Sequence, residues 1–349
     1  METPNGNYAR RCYAYIKYDG EENGLSALCT SISYTDNAEG KSDEVSLTFG
    51  DAAKKMLYGE RVIEKDHELD VTLNFYNWKK PGDQEQFHVG TFTVDDISFS
   101  GPEITSTVKG VSIPAGEGYN TIPHSQTWSS ITLQQLCREF MGKYGMTRLF
   151  WYGDDPQIES LEQSDQTDSA FLEKTVKDNG MYLKVYKTGI VVFDKKVYEP
   201  RPAKCGYGID VIESWSWNST LAGTYTGGNL KYSTSGSKTK EAKGIDVTVG
   251  EGPRILYVHQ SVKDEAEARR VIASKVNDAN EKAVTIQIKT MPNPRDGAMP
   301  TNIMYATDNF QVNGLGRADG KYFATSITHT LNSSGYTQTI SGYKVFNRL

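Results

Sequence analysis

The chain has 349 residues, 37% of them apolar, with 21 tyrosines, 32 glycines and a formal charge of −6. That length supports two or three domains with their own cores, and the composition excludes a disordered chain or one built mainly to grip a nucleic-acid backbone by charge. The polar N-terminus and the lack of any apolar run near the roughly 18 residues of a spanning helix predict neither signal peptide nor membrane anchor, and four scattered cysteines without C-x-x-C fit reduced thiols in a cytoplasm.

From residue 8 to about 121 the chain reads as strands and turns. Alternation marks strands at 13–18, 28–34, 43–49, 70–76, 86–94, 97–99 and 106–113, punctuated by Asp19-Gly20, Gly50-Asp51, Asp95-Asp96 and Gly101-Pro102. Six or seven strands at this spacing predict a closed or nearly closed barrel. A short helical turn is expected at 52–58, capped by Asp51, and a sharp turn at 79–83.

Residues 128–198 differ in kind. Leu133, Leu136, Cys137 and Phe140 fall at helical spacing behind hydroxyl caps at 129–132, Gly145 stops the helix, and Leu149-Phe150-Trp151-Tyr152 reads as a buried strand. The device repeats: caps at 165–168, an apolar stripe of Phe171, Leu172 and Val176, a stop at Asn179-Gly180, and a hairpin of 182–186 with 190–193. The two Gly-Met pairs, 145–146 and 180–181, suggest a weak duplication.

Arg201-Pro202 reads as a boundary, followed by a strand at 209–217 with a bulge and another at 230–232. Residues 233–244 form a small, basic, polar loop, a solvated connection by composition. A strand at 245–249 precedes the longest helix, 262–283, opened by Ser261 and Asp264, with Ile272, Val276 and Ala279 on one face. Residues 284–290 alternate, 291–297 form a second boundary, and strands at 309–312, 322–330 and 336–343 end the chain.

Chemistry is sparse. P-loop, G-x-S-x-G, H-E-x-x-H and dinucleotide fingerprints are absent, and the five histidines stand apart without ligand spacing. Asp95-Asp96 and Asp154-Asp155 are candidate carboxylate pairs for glycoside chemistry. Neighbours on a strand point to opposite faces, so neither pair can flank one substrate alone. No catalytic residue, metal site or cofactor is therefore expected. Trp78 beside Lys79 and Lys80 at a hairpin tip is a candidate partner contact, with an amphipathic ring folded on its own hairpin as the bland alternative. Lys54, Lys55 and Tyr58 on the 52–58 turn complete the candidate interface set.

Three passages carry a resemblance: Gly90-Thr91-Phe92-Thr93-Val94-Asp95-Asp96-Ile97 with Gly101-Pro102; Ser164-Asp165 through Phe171-Leu172, Asn179-Gly180 and the hairpin to Phe193; and Ala318-Asp319-Gly320-Lys321-Tyr322 with Ile327-Thr328-His329 and the closing strand. Together with the order of elements they resemble the late control gene D family of phage tail proteins, the central hubs of contractile tails and injection particles. The resemblance implies an α+β, mainly β fold, with two tube-like antiparallel β-barrel domains and a mixed helix-plus-sheet domain between them. The composition breaks place the first barrel at 1–121, a discontinuous middle domain at 122–202 and 237–292, and the second barrel at 203–236 and 293–349. It further implies a structural baseplate hub joining a sixfold tail tube to a threefold spike, with no active site. The hub would be a homotrimer, assembled in the bacterial cytoplasm and then held in the particle. Its expected partners are the tail tube protein or a tube initiator, a separate spike, baseplate wedge proteins and the tape measure protein, with no sequence-specific nucleic acid. A particle-borne cell-wall hydrolase and a carbohydrate-binding module are the rival classes.

Overall fold

The computed structural model describes residues 9–51, 54–59, 63–78, 80–114, 118–233, 244–262, 264–291 and 303–349. The basic loop at 234–243, the boundary at 292–297, Ala52, Ala53 and Lys79 lie outside the described residues. The fold is mainly β, and its frame is one 12-stranded sheet.

Six strands come from the N-terminal third: β1 (Arg11–Tyr18), β2 (Cys29–Asn37), β3 (Glu44–Gly50), β4 (Glu68–Tyr76), β5 (Gln84–Ser100) and β6 (Thr105–Val111). Their burial alternates, as in the whole of β4, where Leu69, Val71, Leu73 and Phe75 are buried between half-exposed partners. The sequence suggests a turn at Asp95-Asp96, but the chain continues. β5 is one strand of 17 residues, bulged between Val94 and Asp96 and pairing first with β4, then with β6. A bulge bends a strand without ending it, which lets β5 serve two neighbours. No ladder joins β1 to β2 among the described residues. Between them a short helix, α1 (Leu25–Leu28), buries Leu25, and Ser26 Oγ accepts the Ile16 N–H at 2.9 Å.

The other six strands of the sheet are β12 (Cys205–Gly208), β13 (Ile212–Ser219), β17 (Val284–Thr290), β18 (Asn309–Asn313), β19 (Gly320–Asn332) and β20 (Gly335–Lys344). The strand order of the two sets is the same: first, fourth, fifth, sixth, third, second. Superposing the bulge of β5 on that of β19, between Ala324 and Ser326, puts Gly90 on Gly320, Phe92 on Tyr322 and Ile97 on Ile327. Both glycines have φ of 145°, where a side chain is strained. Carrying the registers across β6 and β20 and then β3 and β17 puts Gly110 on Gly342 and Leu47 on Ile288. It also brings the bulge of β2, between Cys29 and Ser31, onto that of β13, between Ile212 and Ser214. The bulge in 209–217 was legible in the sequence; this repeat was not. One pairing differs: β1 is antiparallel to β4, while β12 is parallel to β18. The two units share the sheet through one junction, antiparallel β2 against β19, with Tyr34 opposite His329.

The middle unit holds α2 (Leu133–Lys143), α3 (Asp168–Asp178) and the three-stranded sheet β10 (Tyr182–Tyr186), β11 (Gly189–Phe193) and β8 (Arg148–Tyr152). Thr132 caps α2 in a capping box with Gln135, and Thr167 caps α3. β8 is an edge strand, which corrects its reading as buried: Leu149 and Trp151 turn inward, while Phe150 and Tyr152 face out. β8 is parallel and β10 antiparallel to β11, so the two helix-stop-strand passages insert in opposite directions. The polar ribbon β7 (Pro123–Thr132) with β9 (Gln157–Thr167) completes the unit.

Two elements sit elsewhere than the sequence boundaries suggest. β17, assigned to the middle domain, pairs with β13 and β20 in the large sheet. β14 (Gly227–Ser233), assigned to the second barrel, instead pairs with β15 (Gly244–Gly250) and β16 (Ile255–His259). That small sheet packs Leu230 and Val247 against Val271, Ile272 and Val276 of α5 (Glu265–Asn280), which Asp264 caps three residues after the expected start. The layer is an insertion between the second and third strands of the second unit, where the first unit has only the 38–43 turn. Among the described residues no helix is long and apolar enough to cross a membrane.

Candidate interface surfaces and the buried ionic junction

Where the two units and the middle unit meet, the 36–43 segment supplies three carboxylates. Lys184 of β10 donates to Asp36, lies 3.2 Å from Asp43 Oδ1 and donates to the Asn37 carbonyl at 2.7 Å. Asp36 Oδ2 also accepts the Ala306 N–H at 2.8 Å, so one carboxylate binds all three units. All three side chains are buried. Burial pushes the Asp43 carboxyl up to about 7, against the pull of Lys184. Burial also works against the Lys184 charge, but Asp36 and Asp43 together raise its pKa. A second cluster lies alongside. Lys195, following β11 in the short helix α4 (Lys195–Tyr198), bonds Glu39 at 2.6 Å and Glu281 at 2.8 Å, and Arg348 joins Glu281 to Glu199. Such clusters add little net stability but penalise any arrangement that separates their members. Their effect is to fix how the units sit.

His329 is buried at the β2–β19 junction, stacked on Tyr34 at 5.4 Å, with Nδ1 2.6 Å from the Tyr336 hydroxyl. Burial pushes its pKa down to about 3, so the ring is neutral. Tyr336 packs edge-on against Phe75 and Trp78, carrying the β19–β20 hairpin over the core of the first unit. A cleft of about 380 Å³ opens beside Asp43, walled by Tyr34, Phe92, Arg148, Tyr186 and Tyr305.

The candidate contacts divide. Trp78 is not a surface anchor: it is 6% exposed, packs edge-on against Phe75 and donates Nε1–H to the Arg11 carbonyl at 3.0 Å. An indole folded over its own hairpin buries more apolar area than one held in water. Lys79 lies outside the described residues, and Lys80 is exposed at the same tip. Lys54, Lys55 and Tyr58 sit on a surface turn whose backbone N–H groups at Lys55, Met56 and Leu57 all point at the buried Asp51 carboxylate, the cap the sequence suggests. Tyr58 is 74% exposed, with Lys54 over its ring. The turn follows β3 at the end of the unit where β5 finishes, whereas Lys80 lies where β5 begins. The structure does not bring the two groups together.

The acidic pairs have structural partners. Asp96 pairs with Lys109 at 3.3 Å, and Asp155 accepts the Gln134 N–H in the first turn of α2 at 2.8 Å. Among the described residues no group of three or more His, Cys, Asp or Glu is placed to hold a metal ion.

No family model and no curated protein matches the sequence. Solved structures match along nearly its whole length. The 43 kDa tail protein of prophage MuSo2 from Shewanella oneidensis aligns over 95% of this chain and 98% of its own, at TM-score 0.72 and 15% identity. A tail protein from Neisseria meningitidis aligns over 95% and 96%, at TM-score 0.72 and 10% identity. An E. coli component of the type VI secretion system, described as structurally similar to the T4 bacteriophage tail proteins gp27 and gp5, aligns over 96% and 78%, at TM-score 0.58 and 10% identity. The mainly β fold expected from the sequence resemblance is thus the fold of a prophage tail protein, of a second tail protein and of a type VI secretion component.

Proposed function

We propose that this chain is a structural hub of a phage tail or tail-like injection particle, a homotrimer that joins a sixfold tube to a threefold spike. The observation that carries the reading is the internal repeat: two six-stranded units of one strand order in a single chain, already joined edge to edge. Three such chains present six similar units to a tube and three identical faces to a spike, and closed rotational symmetry is the default for soluble assemblies. The shared fold of two tail proteins, one of them from a prophage, and of a type VI secretion component supports the setting. In this reading the first barrel is 1–121 and the second follows residue 202, with the β14–β16 and α5 layer as its insertion. Partners are the tube protein or its initiator, the spike, wedge proteins and the tape measure protein, met during assembly in the bacterial cytoplasm. Lys54, Lys55 and Tyr58 at one end of the first unit, and Lys80 at the other, are candidate contacts on opposite faces of the ring. The chain acts as scaffold and not as catalyst.

Imaging of the assembled particle tests this. Three copies in a ring between tube and spike are expected; six copies, or a place outside the axis, overturns it. Peptidoglycan turbidity loss caused by the purified chain and abolished by a carboxylate substitution would overturn the non-catalytic part.

A further inference from the structure

The junction inside the chain has a counterpart that the chain leaves open. β2 reaches β19 along Ile32 to Asn37 because β18 follows β19 only as far as Phe323, leaving the stretch from Ser326 to Leu331 flanked by β20 alone until β2 arrives. The first unit has the same opening. β4 follows β5 only to Thr93, so Asp96 to Ser100 pairs with β6 and, among the described residues, with no strand on its other side. The second unit has the matching strand: β13, the counterpart of β2, pairs with β17 alone among the described strands. Both free edges carry large exposed aromatics, Phe99 at 44% and Trp215 at 49%. Unpaired backbone edges of this kind are covered in stable proteins or recruit a partner strand.

We propose that β13 of one copy pairs antiparallel with residues 96–100 of β5 in the next copy, repeating between chains the β2–β19 junction found within the chain. Transferring the observed register through the superposed bulges sets Trp217 opposite Phe99, Asn218 opposite Ser98 and Ser219 opposite Ile97, as Tyr34 stands opposite His329, Thr35 opposite Thr328 and Asp36 opposite Ile327. The contact is head to tail, so it generates a ring in which first and second units alternate. This deepens the assembly part of the proposed function but needs neither tube nor spike, and the pairing itself does not set the number of copies.

The test places cysteines at Asn218 and Ser98 in the full chain and oxidises it over a concentration series, with mass readout of the native and the denatured, unreduced protein. Directly opposed residues of an antiparallel pair have Cβ atoms about 4.5–5.5 Å apart, close to disulfide reach. The expected result is covalent linkage between copies, roughly tenfold above an off-register control of N218C with S100C, and lost when Phe99→Lys puts a charge on the edge. No linkage above that of the unmodified chain at any concentration, or equal linkage in both registers, overturns the proposal. A trimer that forms without linking this pair also overturns it while leaving the hub reading intact. In-register linkage in a ring of another size upholds the pairing and refutes the trimer.

Discussion

Replacing Lys184 by methionine tests whether the ionic junction fixes the arrangement of the units. Methionine fills most of the volume and removes the cation that bonds both Asp36 and Asp43, whose side chains are 1% and 3% exposed. Breaking a buried pair by deleting one partner costs about 3–5 kcal/mol, because the remaining charge is neither solvated nor matched. The carboxyls can escape only by taking up protons. In the native chain burial has already raised the Asp43 pKa from the ordinary 3.8 to about 7, so the folded state binds more protons than the unfolded state in between. Its contribution is therefore complete below about pH 4 and is lost as pH rises through about 7. Without Lys184 both carboxyls should bind protons more tightly still. The deficit of the variant should then be largest at pH 8 and shrink toward pH 6, by at most about 1.4 kcal/mol per pH unit for each additional proton the variant binds. Urea unfolding of both proteins at pH 8, 7 and 6 measures this directly, and going no lower than pH 6 avoids most of the range over which the His329 contribution changes. A deficit under about 1 kcal/mol, or one independent of pH, would refute the argument.

Other outcomes follow from single contacts. A Cβ on Gly342 would lie 2.4 Å from the Phe323 carbonyl oxygen, so Gly342→Ala should destabilise by about 1–3 kcal/mol, and Gly110→Ala, with a Cβ 2.8 Å from that of Phe92, should do likewise; thermal melts check both. Trp78→Ala should cost about 3–5 kcal/mol of stability, whereas Tyr58→Ala should leave the melt within about 0.5 kcal/mol and, under the proposed function, weaken tube binding in a pull-down. Because burial lowers the His329 pKa to about 3 from 6.5, its contribution is present above about pH 6.5 and lost as pH falls toward 3; His329→Phe should flatten the acid limb of the stability profile, and an unchanged limb would count against burial as the cause.

Local signals in the sequence proved dependable where the chemistry was local. Hydroxyl and carboxylate caps, the Gly145 and Gly180 stops and the hairpin at 182–193 all stand where residue type alone places them. β7 and β9 escaped because a two-stranded ribbon with little buried surface needs no apolar alternation: Gln157–Thr167 is almost wholly polar. β17 reads clearly as a strand, but its domain is decided by pairing with Trp215 and Ile340, far away in sequence. The repeat is faint because it survives where backbone geometry or core volume demands it, at Gly90 and Gly320, Gly110 and Gly342, and a few apolar positions. The more visible recurrence, the Gly-Met pairs at 145–146 and 180–181, marks two helix stops that share composition but not orientation. Among the interface candidates, exposure of Tyr58 and burial of Trp78 turn on neighbours such as Tyr336, which no hairpin motif reveals.

Joining two units in one polypeptide makes the β2–β19 contact unimolecular. Dilution cannot undo it, and its local concentration is set by the tether, whereas any contact made through β13 must repay the translational and rotational freedom of a separate molecule. The two junctions therefore face different demands. Tyr34 and His329 can be as apolar and closely stacked as packing permits, since they are never displayed to solvent in the folded chain. Strand β13 and the far end of β5 must remain soluble until a partner arrives, and their serines, asparagine and acidic residues around Trp215 and Phe99 are a composition suited to waiting.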